Sequence, residues 1–176
     1  MSDQNNILVN RVANSGLITL NLESYFPEGD MVVFDIKDYL FQGLILKEKE
    51  FRKALKEYDW KQYQGKILLV LCSTDAIIPV WAYMLISAYA RPYTSDVYAG
   101  SREDYLKAFY YKVIKDMDMA EYKGKRVVIK GCSKRPVPAS AYLQLTEALQ
   151  PVVQSLMYGE PCSTVPIFKR PREIKK

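Results

Sequence analysis

The alternation of short apolar strands with helical segments constrains the fold of this 176-residue chain more than any other feature. Four predicted strands, at 43–46, 66–71, 96–99 and 126–130, alternate with four predicted helices, at 47–58, 79–89, 103–116 and 138–157. Strands that alternate with helices in this way predict a mostly parallel sheet with helices on its faces. The sequence therefore indicates an α/β protein.

The first 42 residues follow a different pattern. Residues 17–22 alternate apolar and polar side chains with the period of two that is typical of a half-buried strand, and 31–36 form a second apolar segment. The Pro-Glu-Gly-Asp sequence at 27–30 separates them with residues that favour turns. We therefore expect an N-terminal antiparallel β element within residues 1–42.

Two halves of the chain, residues 43–92 and 95–158, share a series of short motifs. The matched positions are Asp59, Tyr63, Gly65, Lys66, Cys72, Pro79 and Tyr83 in the first half and Asp118, Tyr122, Gly124, Lys125, Cys132, Pro138 and Tyr142 in the second. We interpret the match as an internal duplication of a βαβα unit. The alternative is that two unrelated βα units share the same turn chemistry.

These features define one predicted α/β domain over residues 1–168, whose two halves are followed by a returning segment at 159–168. Residues 169–176 hold five of the 25 basic residues and predict a solvated basic tail. Without this tail the chain is nearly neutral, whereas nucleic-acid binding normally uses a basic stripe on the folded surface. The sequence therefore does not indicate a nucleic-acid partner.

The chain shows no pattern typical of targeting or membrane segments. Its first residues lack the basic start and apolar core of a secretory signal, and no apolar run approaches the length of a membrane helix. We therefore expect a cytoplasmic protein with no membrane partner. In that reducing compartment, the three cysteines are expected to be free thiols or metal ligands, not disulfides.

The chain contains no histidine. This absence excludes Ser-His-Asp and Cys-His nucleophile pairs, zinc sites with histidine ligands and haem held by histidine. The eight glycines form neither a dinucleotide-binding motif nor a phosphate-binding loop. The sequence therefore assigns no catalytic residue and no organic cofactor.

The cysteines are the strongest candidates for a functional site. Each is followed by serine, in the pairs Cys72-Ser73, Cys132-Ser133 and Cys162-Ser163. Cys72 and Cys132 follow predicted strands, and the carboxyl ends of strands are where open α/β sheets bind ligands. We therefore expect three Cys-Ser loops whose thiols converge.

A shared metal is one interpretation of these thiols. Structural zinc binds four ligands, and the candidates for the fourth are Glu160 or Asp75, a serine oxygen, an external ligand or a cysteine of a second subunit. Three thiolates with an open position also suit an iron–sulfur cluster. Thiol catalysis is a second interpretation, although its base would have to be Lys, Tyr or a carboxylate. In the third interpretation the cysteines are small apolar residues of the core. The sequence leaves all three open.

The chain also has 14 tyrosines, clustered at 58–63, 83–93 and 105–111. Aromatic residues at this density pack in cores and line protein interfaces. Core packing explains them first and a homodimer surface second. A homo-oligomer is therefore the expected assembly.

Two stretches, Gly-Cys-Ser-x-x-Pro-Val-Pro-x-Ser-Ala-Tyr at 131–142 and Gly-Glu-Pro-Cys-Ser-Thr-Val-Pro-Ile at 159–167, resemble an uncharacterised bacterial family, domain of unknown function 2480. The resemblance covers nearly the whole chain, including 33–38 and 43–47, and implies no established activity. Proteins of this family are associated with the neighbourhoods of iron–sulfur assembly genes. That association implies an accessory role in cluster assembly or sulfur handling, with iron–sulfur assembly proteins as partners.

Two functions follow as expectations. In the first, the three Cys-Ser loops make the chain a thiolate-based metal, iron–sulfur or sulfur-handling accessory protein, with zinc or an iron–sulfur cluster as the cofactor. In the second, the chain is a non-enzymatic, homo-oligomeric interaction module whose cysteines are structural. The burial of the cysteines and the distances between them distinguish the two.

Overall fold

The computed structural model describes residues 16–130, 134–160 and 163–171. The strands are β1 Leu17–Leu20, β2 Met31–Asp35, β3 Ile67–Leu71, β4 Asp96–Ala99, β5 Arg126–Ile129, β6 Ser155–Glu160 and β7 Ser163–Lys169. The helices are α1 Glu48–Glu57, α2 Val80–Ala90, α3 Arg102–Asp116 and α4 Ala139–Leu149, and 3₁₀ turns lie at Leu22–Tyr25, Ile36–Tyr39, Trp60–Tyr63 and Met119–Tyr122.

The strands form two sheets. One has the order β1-β5-β6-β7 and the other has the order β2-β3-β4. Every neighbouring pair is parallel except β6 and β7, which are antiparallel. The prediction of a mostly parallel α/β protein is therefore confirmed, with two sheets in place of one.

The backbone clusters into two compact units. The first contains Met1–Phe26 and Tyr110–Lys176, and the second contains Pro27–Phe109. Each unit holds one of the two sheets. The single domain over 1–168 and the repeat boundaries 43–92 and 95–158 stay predictions.

In the second unit, β3 is the buried centre of the sheet. Its residues 67–70 are at most 2% exposed. Leu68 and Val70 pack into a core with Phe34 and Ile86, whereas Ile67 and Leu69 pack on the other face. Burial on both faces explains why this strand is a continuous apolar run.

In the first unit, β5 has the same central position between β1 and β6. Val127 and Val128 of this strand are fully buried, as is Leu145 of α4. The Tyr110 hydroxyl donates to the carbonyl oxygen of Leu22 at 3.0 Å, so this buried aromatic side chain also satisfies its polar atom.

The two N-terminal strands do not pair with each other, which corrects the expected antiparallel element. β1 pairs in parallel with β5, and β2 pairs in parallel with β3. The turn residues at 27–30 do separate β1 from β2, as predicted. Pairing with the two buried central strands removes more apolar surface from water than a two-stranded hairpin does, so the long-range partners decide the topology.

Two other boundaries differ from the predictions. Residues 43–46 are not a strand but part of a tight turn closed by a single bridge between Phe41 and Ile45, with Gln42 at φ 51° and Gly43 at φ 71°. The predicted helix at 138–157 ends at Leu149, and β6 follows it. Pro151 explains this end because proline cannot continue a helix.

Both units place the same local features around their central strand. The side chains of Asp59 and Asp118 accept from backbone N–H groups of the 3₁₀ turns that follow them. Gly65 and Gly124 then have φ of 71° and 68° before β3 and β5. Pro79 and Pro138 cap α2 and α4, and Tyr83 and Tyr142 are each the fourth residue of their helix. The duplication itself stays a prediction.

The folded chain continues past the predicted start of the basic tail at residue 169. Lys169 is the last residue of β7, and the Arg170 guanidinium donates to the carbonyl oxygens of Pro151 at 2.7 Å, Gln150 at 3.1 Å and Val153 at 3.2 Å. These carbonyls follow α4, where a cation complements the helix dipole. Arg170 is therefore docked, unlike the expected solvated tail, and residues 172–176 lie outside the described residues.

We predict that Arg170→Ala lowers the free energy of unfolding by about 1 kcal/mol, because charge-assisted hydrogen bonds at an exposed site are partly replaced by water. Lys169→Ala is the matched control, since Lys169 is equally exposed and adjacent in the chain. Urea denaturation of both variants measures the difference. Equal effects of the two substitutions would contradict the docking of Arg170.

Candidate functional site

Cys72 lies directly after β3, at the carboxyl end of the central strand, as the sequence predicts. Its side chain is partly exposed and its Sγ lies 3.3 Å from the hydroxyl oxygen of Thr74. The same side chain also packs against the buried core that includes Phe34 and Val70. Cys72 therefore combines the position expected of a ligand with the packing expected of a structural residue.

Asp35 holds the Cys-Ser loop in place. Its Oδ1 accepts from the backbone N–H of Ser73 at 3.0 Å and from that of Lys37 at 3.0 Å. Partial burial raises the pKa of Asp35, but hydrogen bonds from Ser73 and Lys37 outweigh this effect and leave the pKa below its ordinary value of 3.8. A carboxylate at the end of β2 thus fixes the loop that follows β3.

The first unit has a similar carboxylate brace. Glu23 lies in the 3₁₀ turn after β1, and its Oε1 accepts from the backbone N–H groups of Lys134 and Arg135 at 2.9 Å each. These two residues follow Cys132 and Ser133, which lie outside the described residues. In both units, therefore, an acidic side chain at or just beyond the end of the first strand, β2 or β1, holds the segment that follows the central strand.

The predicted ligands are divided between the two units. Cys72, Ser73 and Asp75 belong to the second unit, and Asp75 is exposed. Glu160 and Ser163 belong to the first unit, where they face each other at the ends of β6 and β7. Cys162 and Ser133 lie outside the described residues, as does Cys132. The convergence of the three thiols stays a prediction.

The described residues do not by themselves supply a metal site. Within 16–130, 134–160 and 163–171, no three Cys, Asp or Glu side chains are grouped closely enough to hold an ion. A metal site shared by Cys72, Cys132 and Cys162 stays a prediction. Asp75 and Glu160, the predicted fourth ligands, belong to no group of three such side chains among the described residues.

Tyr39, Tyr58 and Tyr63 belong to or pack against the same aromatic core as Cys72. The ring of Trp60 stacks on Phe34 at 5.5 Å between centroids, and the hydroxyl oxygens of Tyr58 and Tyr63 lie 2.6 Å apart. Burial raises the pKa of Tyr63 and raises that of Tyr39 to about 12. Neutral, buried phenols of this kind stabilise a core and are poor bases at neutral pH.

The most unusual surface of the second unit lies on and just before α2. Ile77 is 94% exposed, and Val80 and Met84 on the helix are 74% and 68% exposed. Ser87 and Ala88 continue the exposed face. We call these five residues the α2 stripe. The sequence from 76 to 90 contains no charged residue, so no charged side chain of the helix itself solvates this stripe.

An open groove runs between the α2 stripe and the edge of the sheet. It has a volume of about 510 Å³, and its walls come from Tyr83, Met84 and Ser87 of α2 and from Val70, Val97 and Ala99 of the sheet. Most of this lining is apolar. A surface of this composition suits another apolar surface better than it suits a charged ligand.

The turn at 41–45 adds further exposed apolar side chains. Leu44 and Ile45 are exposed, and they line a second groove together with Ile77 and Asp75. The apolar surface therefore extends from the α2 stripe to this turn. Exposed apolar patches of this kind often mark protein interfaces.

The family of this chain is decided by its match to a family model. The model described as "Protein of unknown function (DUF2480)" matches residues 6–170. The chain belongs to this family. No curated protein and no solved structure matches it. The resemblance predicted from 131–142 and 159–167 is confirmed, and since DUF2480 carries no assigned activity, function is inferred from the geometry alone.

Sequence reasoning missed three features of this DUF2480 chain. The braces made by Asp35 and Glu23 link residues far apart in the sequence, and no local pattern indicates them. The absence of charged residues from 76 to 90 was the sequence feature that could have indicated the α2 stripe. The sequence predicted a helix over 79–89 and did not indicate which of its sides is exposed.

No helix among the described parts of the chain is both long enough and apolar enough to cross a membrane.

We predict that Asp35→Ala lowers the free energy of unfolding by about 2 kcal/mol, because it removes a turn cap and the brace of the Cys-Ser loop. Since folding lowers the pKa of Asp35, its contribution is present above pH 3.8 and is lost as the pH falls below that value. The difference between wild type and variant should therefore shrink in acid. Urea denaturation at pH 7 and in acid measures it.

Asp38→Ala is the matched control for this prediction. Asp38 lies on the same 3₁₀ turn and is exposed. Its removal should change stability by less than about 0.5 kcal/mol, as is usual at an exposed surface position. A loss as large as that of Asp35→Ala would contradict the brace.

Proposed function

We propose that this chain is a non-enzymatic interaction module that associates with a second copy of itself through the α2 stripe. The observation that carries the proposal is the exposure of Val80 and Met84 on a helix that has no charged residue. Apolar helices are stable in water when a partner covers them. The function is thus binding, and the cysteines are structural.

The energetic argument follows from the burial of apolar surface. Covering a Val or Met side chain contributes about 1.5 to 3 kcal/mol. Val80, Met84 and Ile77 from two copies supply six such side chains to a symmetric interface. That contribution is large enough to offset a substantial part of the entropy lost on association.

Helix α4 in the first unit provides an internal comparison. Leu143 has the same position in α4 as Met84 has in α2, the fifth residue, and is 72% exposed. Three residues of α4 that follow Leu143 are polar, namely Gln144, Thr146 and Glu147. The corresponding positions in α2 carry Leu85, Ser87 and Ala88. The proposal therefore places the interface on α2 and not on α4.

Met84→Lys tests the proposal, because it introduces a charge into the α2 stripe at a position that is largely exposed in the single chain. We predict that the dissociation constant of the dimer rises at least tenfold, which corresponds to about 1.4 kcal/mol. The fold should be unaffected. Analytical ultracentrifugation measures the association, and circular dichroism checks the fold.

Leu143→Lys is the matched control, since it places the same charge at the same helical position in the other unit. It should leave the dimer intact. A wild-type chain that stays monomeric at its highest soluble concentration would overturn the proposed function. Equal dissociation of both variants would show that the stripe has no special role.

The second candidate function is the thiolate-based one. It is favoured by the braces, since Asp35 and Glu23 hold the segments that follow β3 and β5, the places where Cys72 and Cys132 occur in the sequence. Under this proposal, Cys72, Cys132 and Cys162 together bind zinc or an iron–sulfur cluster, or handle sulfur for iron–sulfur assembly proteins. The cytoplasm is the proposed compartment.

Anaerobic purification followed by elemental analysis tests this second candidate. We predict stoichiometric zinc, or iron with sulfide, that is lost in each of Cys72→Ser, Cys132→Ser and Cys162→Ser. Thr74→Val is the control, since it removes the hydroxyl beside Sγ and keeps all three thiols. Metal-free protein, or metal that survives a cysteine substitution, would rule out a shared three-thiol site.

A further inference from the structure

No described strand covers the outer edge of β4, whereas a strand covers the corresponding edge in the other unit. β4 and β6 have the same place in their sheets, because each follows the helix after a central strand and pairs with that strand in parallel. β6 is covered on its other side by the antiparallel strand β7. Among the described residues, no strand pairs with the outer side of β4.

The backbone of β4 is oriented to accept such a neighbour. The Gly100 N–H donates to the carbonyl oxygen of Val70 at 2.9 Å, so by alternation the backbone groups of Tyr98 face β3 and those of Val97 and Ala99 face outwards. The outward N–H of Val97 donates to the carboxylate of its neighbour Asp96 at 2.9 Å, so a strand that pairs here replaces that local hydrogen bond with one to its own backbone. An edge of this kind is a template for another strand.

The side chains of β4 also divide between the two faces of the sheet. Val97 and Ala99 line the groove beside α2, and Tyr98 packs on the opposite face, against Tyr105. In an antiparallel pair, residues that face each other lie on the same face of the sheet. A second β4 can therefore pair with its centre at Tyr98, so that Val97 faces Ala99 of the partner subunit.

We propose that β4 pairs with β4 of a second copy in this antiparallel register, which joins the two three-stranded sheets into a continuous six-stranded sheet. The two-fold axis is perpendicular to the sheet, so the α2 helices of both copies lie on the same face and cover each other's stripes. This inference rests on the proposed function and specifies how the two copies meet.

Charge and area favour a second copy as the occupant of this edge. In the register centred on Tyr98, each Asp96 faces Gly100 of the partner subunit, so no carboxylate faces another carboxylate. A stable dimer buries about 800 Å² on each partner, which a four-residue strand alone does not supply. The α2 stripe and the groove lie beside β4 and supply additional apolar area.

The other edge of the same sheet is a poorer candidate. β2 forms that edge, and its residue Val33 is also exposed. In the described part of the chain its counterpart β1 is likewise the last strand of its sheet, so this edge has no covered equivalent there. The groove and the α2 stripe border β4 and not β2. Val33 therefore provides a control position.

Disulfide crosslinking tests the register. Tyr98→Cys should form a disulfide between two copies under mild oxidation, because directly opposed residues at non-hydrogen-bonded positions have Cα atoms about 4.5 Å apart, within disulfide range. Val33→Cys, on the opposite edge, should not crosslink. Peptide mass mapping distinguishes the introduced thiols from the three native cysteines, and reduction should return the monomer on denaturing gels.

Ala99→Pro gives an independent test, because Tyr98→Cys also removes a ring that packs on Tyr105. Proline at residue 99 removes one outward N–H and leaves the ladder to β3 intact. We expect a folded monomer, whereas Ala99→Val, which keeps the N–H, should remain a dimer. Analytical ultracentrifugation measures the oligomeric state of both variants.

The outcomes separate this inference from the proposed function. A dimer that Met84→Lys dissociates but Ala99→Pro does not, together with no crosslink in Tyr98→Cys, would overturn the pairing of β4 and leave the α2 interface standing. Efficient crosslinking of Val33→Cys would also overturn it. A monomeric wild-type chain would overturn both.

Discussion

A parallel strand can join its neighbour only by a crossover that returns the chain to the starting edge of the sheet. This constraint governs both units, because β3 and β5 are apolar central strands that pair in parallel on both sides. It requires α2 after β3 and α4 after β5. It also brings the loops after the central strands to the carboxyl edge of each sheet, where Cys72 lies.

Each crossover leaves a long loop, and a carboxylate holds each loop in place. Asp35 accepts from the backbone of Ser73, and Glu23 accepts from that of Lys134 and Arg135. Asp35 ends the strand that pairs with β3, and Glu23 lies just after the strand that pairs with β5, so parallel pairing places each beside the loop. The braces are therefore a consequence of the topology, and they order the Cys-Ser loop whether or not its thiol has a chemical role.

The two sheets differ at the edge opposite their N-terminal strands β1 and β2. In one, β7 covers β6 and the polar residues Gln144 and Glu147 follow Leu143 on α4. In the other, β4 is the last described strand of the sheet and α2 is uncharged. A strand edge beside an exposed apolar helix presents both backbone polar groups and apolar side chains to water. A partner strand forms hydrogen bonds with the former, and its helix covers the latter.

The sequence alone determined the fold class, the central strands and the helices around them, because burial on both faces and helical periodicity are local patterns that 66–71 and 47–58 display directly. It also determined the family. Only the tertiary structure decided that β1 and β2 join different sheets, that β6 replaces the end of the predicted helix, and that Asp35 and Glu23 brace distant loops. These features depend on contacts between residues far apart in the chain, and local periodicity carries no information about which distant strand or loop a residue meets. The same reason explains why the sequence predicted a helix over 79–89 without indicating that one side of α2 is exposed.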